Sequence, residues 1–295
     1  MTNAARKILI TGASGFLGRY LLKYSPPEVQ MLAQYLTHPL YFASANILGI
    51  KSDLLQPSID ELMQFKPDVI IHTAAISSID FCEVNSETAW MINFETTKKL
   101  VDLANKIKTR FIYASSDTVF DGKKGNYCEK DIPNPINVYA ETKRKSEQYI
   151  VENLENAVVV RPALFYGISL NGTPSFTQIM LEDLRAGKKV NVFTDQYRSP
   201  LPVAQLALAI WELVDSDYRG LIHIGGSQRI SRYDMGKILC KQFNLPLELV
   251  IQIRSHQANL AASRPLDCSL DISLASSILK TELLSYADGI RLAFK

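Results

Sequence analysis

The chain has 295 residues, 47% hydrophobic and 21% charged, ample apolar material for a sizeable buried core. A formal net charge of +2 gives no ground for expecting nucleic acid or an acidic membrane surface as partner, and no apolar run reaches the roughly 18 residues of a membrane span. The four cysteines, Cys82, Cys128, Cys240 and Cys268, have neither metal-ligand spacing nor a disulfide framework, so no metal is expected and a reducing, cytoplasmic setting fits.

In chain order, Lys7–Thr11 reads as a strand, reached too early to leave room for a signal peptide. A glycine-rich turn leads into an amphipathic helix through Phe16, Leu17, Tyr20 and Leu21. Val29–Leu36 reads as a second strand and Ile59–Phe65 as a short helix that Pro67 ends. Pro67–Ala75 is a continuous buried-type strand, Ser86–Ile107 a long helix, and Arg110–Ser115 a strand. Asn137 is placed to cap a helix over Val138–Leu154, and Ala157–Arg161 is the next strand. Strands apolar throughout, separated by helices, predict an α/β fold with a parallel sheet covered on both faces. Beyond Pro162 the pattern loosens. Phe176–Arg185, Val203–Val214 and Arg232–Phe243 are expected helices and Gly220–Ile224 a strand. This predicts a nucleotide-binding domain over 1–162, with returns from about 190–225, and a smaller, interleaved substrate lobe over 163–295.

Thr11–Gly18 (TGASGFLG) lies between the first strand and the first helix. Gly12 permits a tight turn, Gly15 lets the backbone approach a pyrophosphate, and Gly18 lets helix and strand pack closely. The helix N-terminus offers free N–H groups and a partial positive charge to the phosphates. Glycines alone make only a turn; flanked by strand and helix they predict a dinucleotide site in a Rossmann-type, doubly wound sheet. NAD enzymes usually place an acid about 20 residues on, to hold the ribose 2′-hydroxyl. No carboxylate occurs between Glu28 and Asp53, and Arg19 follows the last glycine, so NADP is expected over NAD.

Tyr139 and Lys143 are four residues apart on one helix and share a face. An ammonium close to the phenol is expected to lower its pKa and make it a usable proton donor. Alone such a pair is commonplace on a solvated helix. Its position after the fourth strand, whose end carries Ser115-Ser116-Asp117, gives it meaning, because open α/β sheets bind ligands at strand C-termini. A hydroxyl there can hold a substrate oxygen.

These motifs recur together over nearly the whole chain: TGASGFLG, PDVIIHTAA followed by Ser78–Glu83, Asn93, SSDTVFDG, PNPINVYAETK, Arg161-Pro162, Phe193–Pro200 and Arg264-Pro265. In this order they resemble the extended short-chain dehydrogenases/reductases that act on nucleotide sugars, and among these the dTDP-4-dehydrorhamnose reductases. The resemblance implies hydride reduction of a keto group on a nucleotide sugar, with Ser116, Tyr139 and Lys143 as catalytic residues. The implied cofactor residues are Gly12, Ser14, Gly15, Phe16, Leu17, Gly18, Arg19, Asp53, Leu54, Ala74, Ala75 and Asn93, with Tyr139 and Lys143. Asn93 supports the lysine in the family, often through water. The implied substrate residues are Ser78, Asp117, Leu164, Arg198 and Arg264, the two arginines gripping a diphosphate. Two positions depart from the family's patterns. Thr118 stands where the dehydratases of the superfamily carry a glutamate base, which disfavours water elimination, and Leu164 stands where the reductases carry a tryptophan. An epimerase, or a non-catalytic NADP-binding regulatory subunit like that of methionine adenosyltransferase, fits the same motifs. Dimers through a helix pair are common in the family.

Overall fold

A computed structural model of the chain describes residues 5–40, 44–55, 62, 64–170 and 172–294. Its centre is a seven-stranded sheet: β1 (Lys7–Thr11), β2 (Gln30–Tyr35), β3 (Ile47–Lys51), β4 (Val69–His72), β5 (Arg110–Ala114), β6 (Ala157–Pro162) and β7 (Gly220–Ile224). Their spatial order is β3-β2-β1-β4-β5-β6-β7, and every neighbouring pair is parallel. The order reverses between β1 and β4, so the chain leaves the sheet in opposite directions there and opens a crevice at the strand C-termini.

Alternation along the strands explains why they are apolar throughout. Ile8 and Ile10 point into one layer with Leu21, Leu206, Ile210 and Trp211, whereas Leu9 points into the other with Leu100, Phe111 and Ile150. Trp211 Nε1 donates to the Leu21 carbonyl at 3.0 Å, which ties the helix Val203–Asp215 to the first helix, Phe16–Lys23.

The strand β3 was not anticipated. It is a sheet edge with Leu48 exposed and a glycine at its centre, so it lacks the apolar run that marks the others. The helix expected at 59–65 falls mostly outside the described residues. The helix expected over Ser86–Ile107 is interrupted by a π-helical turn at Trp90–Glu95, which contains Asn93.

Beyond Pro162 a third apolar cluster forms around Tyr166, Met180, Leu184, Val192, Leu239 and Tyr286. It is bounded by the helices Phe176–Arg185, Arg232–Phe243 and Tyr286–Ala293. Short strand pairs frame it: Val190–Phe193 with Val250–Ile253, and Tyr197–Arg198 with Ile230–Ser231. The helix Val203–Asp215 and β7 return to the central sheet. Among the described residues no helix is long and apolar enough to cross a membrane.

Candidate nucleotide and substrate site

Gly12 has φ +68°, and a Cβ there would stand 2.6 Å from Ala74 Cα, so the turn after β1 lies directly against the end of β4. A side chain at Gly18 would run into the Gly12 carbonyl and approach Ala13 Cα to 2.7 Å. Gly15 caps the helix Phe16–Lys23 with no side-chain hydrogen bond, which leaves the first-turn N–H groups for a ligand. This cradle fits a dinucleotide pyrophosphate. Gln34, on β2, braces it: Oε1 accepts from Gly12 N at 3.0 Å while Nε2 donates to the Ser52 carbonyl at 2.5 Å. A carboxylate at that position would lose the second bond. Arg19 is buried, with Nε on the Ser14 carbonyl and Nη2 on that of Pro39, so it joins the turn to the segment after β2. Asp53 Oδ1 accepts from Leu55 N at 3.0 Å. Ser14, Asp53, Leu54, Ala74 and Ala75 line one cavity of about 360 Å3.

His72, at the end of β4, has its Nδ1 2.6 Å from Thr11 Oγ1 and its Nε2 2.9 Å from Thr97 Oγ1. Because the Thr97 hydroxyl donates to the Asn93 carbonyl, His72 carries its proton on Nε2 and accepts from Thr11. Burial lowers its pKa to about 3, so it is a neutral strut. Asn93 Oδ1 accepts from Ile76 N, and its Nδ2 donates to the Ile76 carbonyl and to Thr142 Oγ1. The structure thus engages the Asn93 side chain in holding the segment after β4 against the helix Val138–Asn153.

That helix starts as expected: Asn137 Oδ1 accepts from Ala140 N at 2.9 Å. Tyr139 and Lys143 are both buried on its inner face. Ser116 Oγ accepts from Thr118 N and lies 2.8 Å from Thr118 Oγ1. Ser116 and the Tyr139 phenol line the same cavity. The lowered phenol pKa expected from Lys143 is not found. Burial raises it, and the nearby Ser116 hydroxyl offsets only part of the rise. Lys143 Nζ instead donates to the Ala114 carbonyl at 2.7 Å and lies over the Tyr113 ring, and burial brings its own pKa down to about 7.

One turn beyond Lys143, Glu147 is fully buried and was missed by sequence reasoning, although its spacing puts it on the same helix face. Oε1 accepts from Ser115 Oγ at 2.6 Å and from Arg161 Nε at 2.8 Å, and Oε2 accepts from Arg161 Nη2 at 2.7 Å. Arg161 Nη1 reaches His223 Nε2 at 3.3 Å, and His223 Nδ1 faces the Tyr127 carbonyl at 3.0 Å. This network fixes the end of β5, and with it Ser116.

A cavity of about 160 Å3 lies between Gly15, Gly18, Tyr139 and Lys143. It shares Gly12 and Gly15 with the 360 Å3 cavity. It also shares Ser77, Ser115 and Tyr139 with a third cavity, of about 410 Å3, that reaches the second lobe. The phenol therefore stands where the groove along the glycine turn meets the cavity of the second lobe. Asp117, Leu164, Arg198 and Arg264 all line the large cavity. Ser78 does not: its hydroxyl caps the helix Ile79–Val84, and Ser77 and Ile79 face the pocket instead. Nor are the two arginines free surface groups. Arg198 is buried on the carbonyls of Tyr197, Pro265 and Leu266 and lies 3.6 Å from Asp117, and Arg264 holds Asp80 at 2.7 Å. Arg232 and Gln196, which sequence reasoning gave no part, also line the cavity. Gln196 lies within the Phe193–Pro200 motif, two residues before Arg198, which could have pointed to it; Arg232 comes from a segment outside the motifs, and no local signal marks it.

The family model described as the RmlD substrate binding domain matches residues 6–295. Methionine adenosyltransferase 2 subunit beta of Xenopus laevis is 30% identical over 99% of this chain and 88% of its own. Among solved structures, a hypothetical dTDP-4-dehydrorhamnose reductase from Sulfolobus tokodaii gives a TM-score of 0.86 at 34% identity, covering 95% of this chain and 97% of the other. A dTDP-4-dehydrorhamnose reductase from Bacillus anthracis in complex with NADP gives 0.86 at 23% identity over 98% of both chains, a likeness of fold.

Proposed function

The chain belongs to the RmlD substrate binding domain family, and from that membership we propose that it is an NADPH-dependent reductase of a keto group on a nucleotide sugar. The observation that carries this reading is the position of Tyr139, which lines both the small cavity next to the nucleotide turn and the large pocket beyond it. Gly12–Gly18 would hold the cofactor's pyrophosphate, Asp53 and Leu54 its adenine end, and Lys143 its nicotinamide ribose. When bound, NADPH supplies the hydride for the substrate's carbonyl carbon. The protein's part is orientation and a proton. Ser116 holds the carbonyl oxygen, and Tyr139, kept protonated at neutral pH by its burial, donates its proton to that oxygen. In the same reading residues 1–162 with the returning helix and β7 form the nucleotide domain, and most of 163–295 forms the substrate lobe. The four free cysteines fit a cytoplasmic protein.

The test is loss of NADPH absorbance on adding 4-keto nucleotide sugars to purified protein. Turnover in the wild type that is abolished in Tyr139→Phe, with cofactor binding retained, is expected. One observation favours a second reading, the 30% identity to methionine adenosyltransferase 2 subunit beta. In it the chain is a non-catalytic NADP-binding regulatory subunit. Tight NADPH binding without oxidation across a broad panel of keto sugars would establish that alternative.

A further inference from the structure

Arg232 opens the helix Arg232–Phe243 directly after the strand Ile230–Ser231, whose pairing with Tyr197–Arg198 fixes its place. Its backbone N–H donates to the Gln196 carbonyl at 3.0 Å, and its guanidinium lies over the Phe176 ring, 4.6 Å from the centroid. Nη1 is buried and finds no acceptor among the described residues. Gln196 is 4% exposed, and its Nε2 likewise donates to nothing among them. Asp117 Oδ2 is buried and makes no hydrogen bond there. All three residues line the large cavity. Buried polar atoms are almost always paired, because leaving one unmet costs roughly 1–3 kcal/mol. Two unmet donors converging on one pocket, beside a carboxylate oxygen held only by a 3.6 Å ion pair with Arg198, point to a ligand. They ask for an acceptor to meet the cation and the amide, and for a donor to meet the carboxylate.

The charges agree. Arg198 and Arg232 face Asp117 alone, which leaves a positive excess. Arg232 loses proton affinity, to a pKa of about 9, through burial first and Arg198 second, a penalty that an anion would remove.

We propose that Arg232 and Gln196 form an oxyanion subsite of the substrate pocket. A carboxylate or phosphate oxygen of the ligand accepts from Arg232 Nη1 and Gln196 Nε2, while a hydroxyl beside it donates to Asp117 Oδ2. The inference rests on the nucleotide-sugar reading above and adds an anionic group to it. Asp117 directly follows Ser116, so the subsite lies at the reacting end of the pocket, which favours a carboxylate on the sugar over the diphosphate.

UDP-glucose and UDP-glucuronate differ only in a hydroxymethyl against a carboxylate. Titrating both into NADPH-saturated wild type, Arg232→Leu and Arg232→Lys tests the subsite. The wild type is expected to bind UDP-glucuronate about tenfold or more tightly than UDP-glucose, Leu to erase the preference, and Lys to restore part of it. An equal loss of about tenfold for both sugars in Leu would keep the subsite and name the diphosphate as its anion. Unchanged affinities in Leu would overturn the subsite and leave the reductase reading standing. No binding of either sugar by the wild type would overturn the subsite, while the reductase reading stands or falls on the keto-sugar assay. Thermal unfolding adds an independent arm. Ligand-induced rises in melting temperature, each taken against its own ligand-free protein because Leu also loses the Phe176 contact, should follow the same order, and an equal rise with UDP-glucuronate in wild type and Leu would overturn the proposal.

Discussion

Replacing Glu147 by glutamine tests the buried network behind Ser116, the serine proposed to hold the carbonyl oxygen. The substitution keeps the side-chain volume and removes the charge. Glu147 and Arg161 are both fully buried, and their two contacts, at 2.7 and 2.8 Å, form a bidentate pair. In the variant the Arg161 guanidinium would keep one neutral acceptor and meet an amide donor in place of the other oxygen. Breaking a buried pair from one side costs about 3–5 kcal/mol, because the remaining charge stays out of water. At about 2–4 °C per kcal/mol for chains of this order, the melting temperature should fall by on the order of 10 °C. Thermal unfolding at neutral pH, with and without NADPH, measures it. The double variant Glu147→Gln with Arg161→Met should recover part of the loss, since the stranded charge is gone. A Glu147→Gln melting temperature within a degree or two of wild type would refute the reasoning, as would a double variant whose loss is the simple sum of the singles. Activity should fall as well, because Ser115 loses its carboxylate anchor beside Ser116.

Gly18→Ala should weaken NADPH binding severely and cost about 1–3 kcal/mol of stability, because the added Cβ meets the Gly12 carbonyl and Ala13 backbone; cofactor fluorescence titration and denaturant unfolding read the two effects. Lys143 should leave a signature in the pH dependence of cofactor-free stability. Its pKa drops from 10.5 to about 7 on folding, so between these values the unfolded chain binds more protons and stability rises with pH. Below about pH 7 the buried charge exerts its full penalty, and Lys143→Met should flatten the rise; a wild type whose stability fails to climb relative to that variant would contradict the assignment. NADPH should bind more tightly than NADH, because neither Gln34 nor the segment after β2 presents a carboxylate to a 2′-phosphate. A lower dissociation constant for NADH would reverse that expectation.

Local chemistry was enough to find the tight glycine turn, the alternation of strands and helices, and the spacing of Tyr139 and Lys143. Each follows from the backbone demands of glycine, the two-residue and 3.6-residue periods, and the helix cap at Asn137. Tertiary packing decided the rest. It turned Lys143 towards the Ala114 carbonyl and raised the Tyr139 phenol by burial, where the sequence suggested a cation beside the ring. It set Ser77 into the pocket in place of Ser78, because the side chains of neighbouring residues point different ways where the chain turns into a helix. It immobilised Arg198 on backbone carbonyls and left Arg232 and Gln196, from segments far apart in the chain, with unmet donors in the same cavity. Spacing along a chain fixes which residues share an element. Burial, charge balance and hydrogen-bond satisfaction depend on what other elements bring alongside, and these decide the protonation state and the ligand of each group.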